Sequence, residues 1–343
     1  MKAVIIEEFG GPEKLKLANV PDPQPGQGEV LVRMRACALN HLDFWVRSGI
    51  PAYKIRLPHI LGCDVAGEIA ALGAGVSGFK TGQRVAVSPG RSCLKCEFCL
   101  AGRDNLCADY GIIGAQGGAG GYAEYIVVPE QYLLPVPDAL SFEQAAAYPL
   151  TFLTAWHMLI TLGGLNPDKT ALILGAGSGI GVAGVQVAKL AGARVIAVST
   201  SEEKLKKSKQ LGADQTIHSP PQDITKQVIR LTGGKMVDVV FEHVGPVTFE
   251  AALKSMKAGG RLITCGATTG PSVTIDLRFV FSRQYQILGS KMGTLAEMRQ
   301  VARLVAEGKL RPIVDRIFPL AQARQAQEYL AEKKQFGKVV LSA

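Results

Sequence analysis

Long apolar runs are missing from this chain. No stretch approaches the roughly 20 residues that span a bilayer, so no membrane-spanning helix and no membrane partner are expected. The N-terminal residues MKAVIIEEFGGPEKLKL hold no apolar core followed by a small-residue cleavage site, the mark of a secretory leader. A cytoplasmic protein is expected. There is no RGG tract, no basic low-complexity tail and no interleaving of aromatic with basic residues. That argues against nucleic acid as a primary partner. Internal repeats are also absent, which argues against a solenoid. The net charge of +9 then needs another outlet: a phosphorylated cofactor, or a solvated surface. The densest basic run, KLKKSK (204–209), reads as the solvated face of a helix.

What is present is material for buried strands and tight turns. Hydrophobic residues make up 47% of the 343, and 39 are glycine. Four of the seven cysteines, Cys93, Cys96, Cys99 and Cys107, fall within fifteen residues. Four soft ligands that close together hold a metal. The alternatives are a reduced, metal-free loop or an iron–sulfur cluster. Cys37, Cys63 and Cys265 are scattered.

The first 140 residues carry β-branched runs broken by Gly and Pro: EVLVRMRAC, DVAGEIAAL, QRVAVSPG and YAEYIVVP. They predict an irregular β-rich domain, with PDPQPGQGE as a surface loop. From about Phe142 the texture changes. SFEQAAAYPLTFLTAWHML predicts one helix capped by Ser141. Strand and helix patterns then alternate through TALILGAG, SGIGVAGVQVAKLAGA, RVIAVST, EEKLKKSKQLGA, DQTIHS, VDVVFEHVG and GGRLITCGAT. That alternation predicts a doubly wound parallel sheet. A helix in LAEMRQVARLVAEGKL follows, and FGKVVLSA is a closing strand expected to rejoin the N-terminal domain.

LILGAGSGIGVAGVQVAKL follows a strand and opens a helix. Glycines 175, 177, 179 and 181, with Ala176, Ser178 and Ile180 between them, let the backbone approach a pyrophosphate at the helix N-terminus. The bland alternative is a turn that only packs helix on sheet. At the tip of the second strand an NAD site places an acidic residue on the ribose. This chain has Ser199, Thr200 and Ser201, then Lys204. Hydroxyls and a cation suit a 2′-phosphate, so NADP(H) is favoured over NAD(H). Glu202 and Glu203, close to that tip, are the acids that would suit NAD(H); the alternative is that they start a helix and serve its dipole.

These motifs resemble the medium-chain dehydrogenases/reductases, the zinc-containing alcohol dehydrogenase superfamily, over essentially the full length. The resemblance rests on GPEKLKLANVPDPQPGQGEVLVRMRACALNHLDFWVRSG, LPHILGCDVAGEIAALGAGVSGFKTGQRVAV, the four-cysteine lobe, SFEQAAAYPLTFLTAWHML and the glycine-rich loop. It implies a GroES-like catalytic domain (1–150 and 293–343, with a zinc lobe at 91–110) and a Rossmann domain (151–292). Substrate and nicotinamide would lie in the cleft between them. It also implies a homodimer or homotetramer built on the Rossmann sheet edge around SVTIDLRFVFSRQYQILGS. One structural zinc on Cys93, Cys96, Cys99 and Cys107 follows, since a closed thiolate shell leaves no open position.

The catalytic zinc ligands of the alcohol dehydrogenases do not carry over. Aligned on Asp43, NHLD puts Asn40 at the first ligand position and Leu42 at the alcohol-binding hydroxyl position. Aligned on Gly62, Cys63 and Asp64 replace His and Glu. The third ligand position falls on Leu150. Cys37 lies three residues early and is expected to point away. The loop pattern Ala176-x-Ser178-x-x-Gly181 and the stretch N-x-x-D-x-x-x-R-x-G from Asn40 resemble the quinone reductase and enoyl reductase branches instead.

Without a metal, reduction of a quinone or an enone is easier than reduction of a simple carbonyl. The negative charge spreads into a phenolate or enolate, a weak base that a few hydrogen bonds can hold. An NADPH-dependent reductase of quinones or α,β-unsaturated carbonyls is therefore expected. Asn40 would bond the acceptor oxygen or the nicotinamide side of the cleft, or else bond its own turn. Asp43 would orient the loop. His41 or Tyr53 would supply a proton, His41 alternatively being a satisfied polar residue. Thr154 would approach the carboxamide. His243-Val244-Gly245, Cys265-Gly266-Ala267 and Gly289-Ser290-Lys291 would line the cofactor. Cys265 itself reads as a small buried hydrophobe. Two rival readings stand: an alcohol dehydrogenase or aldehyde reductase with a rearranged zinc site on Cys63, Asp64 and His41, and a NADPH-binding protein without turnover.

Overall fold

The computed structural model describes residues 1–51, 53–218 and 220–343. The chain forms two compact units. One comprises Met1–Leu150, Thr294–Gly308 and Pro312–Ala343; the other comprises Thr151–Gly293 and Lys309–Arg311.

The first unit is built on a seven-stranded sheet. Its order runs Leu133–Pro135, Arg84–Val87, Asp64–Leu72, Glu29–Ala38, Lys338–Ser342, Val314–Pro319, with Tyr125–Pro129 also paired to Glu29–Ala38. Strand Glu29–Ala38 alternates buried and exposed residues as far as Arg35, then buries Ala36, Cys37 and Ala38 in succession. Alternation marks a half-solvated strand, and its loss marks where the strand end is covered on both faces. Gly67 sits where this strand crosses Asp64–Leu72. A Cβ there would lie 2.0 Å from the Arg33 carbonyl oxygen, so only glycine fits. The C-terminal strand Lys338–Ser342 runs antiparallel to Glu29–Ala38, with Val340 opposite Ala38. Leu39 N–H donates to the Val339 carbonyl at 2.9 Å, which brings Lys338 level with Asn40.

The second unit carries a six-stranded parallel sheet in the order Gln215–His218, Arg194–Ser199, Thr170–Ile173, Val237–Glu242, Met256–Thr264, Gln286–Gly289. All the pairings are parallel. The central strands are continuous apolar runs, as a sheet covered on both faces requires. Leu172, Leu174, Ile196, Val240 and Leu262 form its buried core with Phe249, Leu253 and Tyr285. The order reverses between Thr170–Ile173 and Val237–Glu242, the topological switch of a doubly wound fold.

One expected helix is two. Phe142–Ala146 starts at Ser141, whose hydroxyl accepts from Gln144 N–H at 3.2 Å, and stops at Ala147. Pro149 then opens a second helix, Pro149–Trp156, which widens into a π-turn at His157–Leu162. Proline has no N–H to continue the first helix, and it disfavours helical geometry at Tyr148 before it.

Candidate active site

The cysteine lobe is a short helix, Glu97–Leu100, followed by a 3₁₀ turn, Asp104–Leu106. Together they fold Cys93, Cys96, Cys99 and Cys107 onto one point. The sulfur separations are 3.5 Å (Cys96–Cys99), 3.5 Å (Cys93–Cys107) and 3.9 Å (Cys93–Cys99). Zinc bound tetrahedrally at about 2.3 Å has sulfur–sulfur edges of about 3.8 Å, so the four side chains fit it. The Lys95 backbone N–H, more than any other group, holds the Cys93 thiol low, at about 6, toward the thiolate a metal needs. The lobe is tied to the rest of its unit by Asp104, whose carboxylate accepts from Leu295 N–H at 3.2 Å, at the start of helix Leu295–Ala306.

A second polar cluster lies where strand Glu29–Ala38 ends. Asn40 caps helix His41–Arg47, and its N–H donates to the Asp43 carboxylate at 2.8 Å. Tyr122 donates to the same oxygen at 3.0 Å. Asp43 is 1% exposed, and burial raises its carboxyl to about 6 despite these two donors.

The Asn40 side chain is fully engaged. Its Nδ2 donates to Asp64 Oδ2 at 2.8 Å, and its Oδ1 accepts from Lys338 Nζ at 2.6 Å. Lys338 also donates to Asp64 Oδ2 at 2.9 Å, and Leu150 N–H donates to Asp64 Oδ1 at 2.8 Å. Asp64 is 0% exposed and Lys338 is 4% exposed. Cys63 Sγ lies 3.4 Å from Asn40 Nδ2, and its thiol is pushed well above its ordinary value by burial, then by the charges of Asp64 and Asp43.

This geometry revises two expectations. Asn40 is anchored between Lys338 and Asp64, and its Nδ2, the atom that would donate to an acceptor oxygen, is turned to Asp64 Oδ2 at 2.8 Å and to the Ala38 carbonyl at 3.4 Å. The rearranged metal site on Cys63, Asp64 and His41 is also disfavoured by the donors. Asp64 spends both oxygens on Leu150, Asn40 and Lys338, and Cys63 is held as a neutral thiol. Among the described residues, the only group of three or more His, Cys, Asp or Glu placed to share a metal is the cysteine lobe. Leu150 takes part through its backbone alone. His41 packs edge-on against Phe44 and Trp45, each at 5.1 Å. Cys37 is buried and packs under Gly62, where a Cβ would meet its sulfur at 2.7 Å. Burial, and then the nearby Cys63, raise the Tyr53 phenol.

In the second unit the loop after strand Thr170–Ile173 has the shape a dinucleotide needs. Gly175 has φ +59°, and Ala176 N–H donates to the Val198 carbonyl at 3.0 Å. Ser178 caps helix Gly179–Leu190, its hydroxyl accepting from Gly181 N–H at 3.0 Å. A Cβ on Gly181 would sit 2.2 Å from the Gly175 carbonyl oxygen, which keeps the turn tight. The Lys204 stem lies against Gly177, where a Cβ would be 2.5 Å from its Cδ. Ser201 N–H donates to Ser199 Oγ at 3.2 Å, and Ser201 Oγ accepts from Lys204 N–H. Ser199, Thr200, Ser201 and Lys204 therefore gather at one strand tip. Glu202 is drawn aside, 3.4 Å from His218 Nδ1, while His218 Nε2 lies 3.1 Å from the Thr200 carbonyl.

The other strand ends also converge. The His243 ring lies under Gly175, with Nε2 2.9 Å from the Leu174 carbonyl and 3.5 Å from Ser178 Oγ. Burial lowers its pKa toward the neutral imidazole. Val244 accepts at its carbonyl from Thr269 N–H at 2.8 Å. Gly266 and Ala267 pack on His243 and Gly245. Ser290 N–H donates to the Thr264 carbonyl at 2.8 Å, and its Oγ is sealed from solvent with no partner. Lys291 follows directly. Thr154 is buried, its Oγ1 3.9 Å from Met292 Sδ. Cys265 is partly exposed, its thiol raised to about 12 by its surroundings and by Glu242.

Sequence reasoning missed two residues here. Lys338 has one signal, a lysine opening the apolar strand KVVLS. Glu242 ends VDVVFE, directly after the apolar stretch Val239–Phe241. It is 0% exposed.

The fold and these sites define a dehydrogenase with a nucleotide-binding parallel sheet and a metal lobe. Residues 26–138 match the alcohol dehydrogenase GroES-like domain, and 179–307 match the zinc-binding dehydrogenase domain. The chain is 34% identical to an alcohol dehydrogenase of Geobacillus stearothermophilus, covering 99% of both chains. It is 31% identical to the quinone oxidoreductase of Rattus norvegicus, over 99% of this chain and 97% of that one. A solved structure described as an NAD-dependent alcohol dehydrogenase superposes with a TM-score of 0.96 at 49% identity, covering 100% of both. The protein belongs to the medium-chain dehydrogenase/reductase family, the zinc-containing alcohol dehydrogenase superfamily. It is an NAD(P)H-dependent oxidoreductase acting on small molecules.

Three outcomes test the site. Purified without chelator, the protein carries one zinc per chain by mass spectrometry, and Cys96→Ser with Cys99→Ser removes it; two would contradict the donor geometry. Lys338→Met leaves Asp64 buried without its cation and lowers the unfolding free energy by about 3–5 kcal/mol. Adding Asp64→Asn recovers most of that loss in urea titrations. The Asp43 carboxyl ionises near 6 when folded, against about 4 when unfolded. The native state therefore keeps its proton to higher pH, and stability falls as pH rises from about 4 to about 6. Asp43→Asn flattens that slope in thermal melts across the same range.

Proposed function

We propose that the protein is an NADPH-dependent reductase of quinones or α,β-unsaturated carbonyls that works without a catalytic metal. The observation that carries this reading is the Asp64 network. Both carboxylate oxygens are committed to Leu150 N–H, Asn40 and Lys338, beside a neutral Cys63 thiol. Such a donor set suits a fixed organic cation and does not suit zinc. Simple carbonyl reduction needs a Lewis acid or a strong proton donor for its alkoxide. A quinone or enone yields a delocalised anion that hydrogen bonds hold.

The reduced nicotinamide supplies the hydride when bound. The chain's own groups do the rest. Tyr53, kept as a phenol by burial, is the residue we assign to protonating the product oxygen, with His41 as the alternative donor. Asn40, Asp64 and Lys338 fix the start of helix His41–Arg47, which carries His41. Asp43 holds the cap of that helix through the Asn40 N–H. Ser199, Thr200, Ser201 and Lys204 favour a 2′-phosphate, because the strand tip offers hydroxyls and a cation and its nearest acid, Glu202, is turned to His218. Gly175 to Gly181 take the pyrophosphate. His243, Val244, Gly266, Ala267, Ser290 and Lys291 line the nicotinamide half, and Thr154 meets the carboxamide. Exposed Leu277 and Phe281, 69% and 71%, beside the edge strand Gln286–Gly289 support a homodimer or homotetramer through that edge.

The second reading is NAD-dependent alcohol oxidation, favoured by the description of the 49% identical structure.

Steady-state assays separate the two. NADPH oxidation by a quinone or an enone is expected, unchanged by prior chelation of loosely held metal, with NADH at least tenfold poorer. Lys204→Ala is expected to raise KM for NADPH by about tenfold, the worth of one charge-assisted hydrogen bond. Zinc-dependent alcohol oxidation with NAD would overturn the proposal.

A further inference from the structure

We infer that Glu242 biases the bound nicotinamide toward its oxidised form, because it places an uncompensated anion beneath the nicotinamide half of the dinucleotide site. The inference rests on the nicotinamide reading above and goes beyond it.

Three observations carry it. The first is position. Glu242 is the last residue of strand Val237–Glu242, immediately beside the point where the strand order reverses. In such sheets ligands lie beyond the carboxyl ends of the strands at that reversal. The glycine-rich loop follows the strand on one side of it, Thr170–Ile173. Strands Val237–Glu242, Met256–Thr264 and Gln286–Gly289 extend on the other and are left for the second half of the dinucleotide.

The second is the set of partners. Glu242 Oε1 accepts from Val244 N–H at 2.7 Å, Gly245 N–H at 2.7 Å and Thr248 Oγ1 at 3.2 Å. Glu242 Oε2 accepts from Thr264 Oγ1 at 3.0 Å. All four are neutral N–H or O–H donors, so no bond in this set brings a compensating charge.

The third is what is missing from that set. Among the described residues, no Lys or Arg nitrogen lies within ion-pair distance of this carboxylate. Its titratable neighbours do not neutralise it. His243 is pushed toward its neutral form, and Cys265 keeps its proton. A fully buried carboxylate without a cation is costly to desolvate. Asp64 in the same chain solves that problem with a lysine.

The consequence is electrostatic. The nicotinamide ring carries a positive charge when oxidised and none when reduced. A nearby fixed anion in a low-dielectric site lowers the free energy of the oxidised form alone, which favours hydride donation. At an effective dielectric constant near 20, one charge within about 12 Å of the ring shifts the ratio of the two affinities on the order of tenfold. The competing explanation is that Glu242 only shapes the turn at Gly245, where φ is +98°.

Glu242→Gln separates them, since the amide oxygen can still accept from both backbone N–H groups while the charge is gone. Equilibrium titration of the intact protein with NADP⁺ and with NADPH, followed by fluorescence, reads both affinities; NAD⁺ and NADH are run in parallel. The expected result is a rise of about tenfold in Kd(oxidised)/Kd(reduced), almost all of it from weaker binding of the oxidised form. Equal weakening of both forms would show a turn-shaping role and overturn the inference. Thr264→Val covers a poorly folding glutamine variant. It keeps the charge and removes one donor, so the ratio should stay at or below the wild-type value; a rise there also overturns it. A wild-type protein that binds neither redox form of either dinucleotide would sink the cofactor reading as well. Binding of NAD(H) alone would sink only the NADP preference, and the ratio is then read on NAD(H).

Discussion

The ion pair between Asp64 and Lys338 is the constraint around which the first unit is organised. Its two ends are 274 residues apart. Each sits at the end of a strand, and both strands pair with Glu29–Ala38. Neither charge reaches water, so separating them would leave an ion stranded in an apolar interior. The pairing register, the helix start at His41 and the backbone at Leu150 must therefore satisfy one geometry. Asn40 closes it by taking Lys338 on its oxygen and giving a proton to Asp64. A buried pair of this kind adds little net stability over an apolar replacement, but it penalises every arrangement that pulls it apart.

Much of this was legible. The glycine-rich loop after a strand, the alternation from Thr170 onward and the cysteine spacing each rest on local chemistry that neighbours in sequence supply. Ser141 as a cap was equally local. The single helix expected after it broke because Pro149, two residues past the first helix, was passed over within an apolar run. Lys338 was not legible. A lysine at the head of KVVLS reads as a strand-end charge bound for solvent, and only the sheet order shows that it meets Asp64. Asn40 was found, but its partner Lys338 was not, for the same reason: that lysine is 298 positions away. Glu242 was hidden differently. Its donors, Val244, Gly245, Thr248 and Thr264, are mostly close in sequence, yet nothing in VFEHVG distinguishes an acid turned inward from one at the surface.

The chain thus buries three carboxylates and treats two of them, Asp64 and Glu242, in opposite ways. Asp64 is neutralised by a lysine, so the region around Asn40 and Cys63 carries no net charge from that pair. Asp43, the other acid there, is raised toward neutrality by burial. That region combines a cancelled ion pair with a neutral thiol, which is the electrostatic basis of the uncharged, conjugated acceptor proposed above.

Among the described residues Glu242 has no lysine partner, and under the proposed reductase reading that difference has a reason. Hydride release would leave a cation on the ring. An anion fixed by four neutral donors is present before the charge develops and does not reorganise as it forms. A lysine partner would cancel it, and a solvent-exposed acid would be screened. Burial without a counter-ion costs stability in the resting protein, and the structure holds that cost at a strand end adjoining the switch point. The same expense would serve no purpose at Asp64, where the pair is structural. That asymmetry separates the residues that hold the fold from those that set the energy of the transfer.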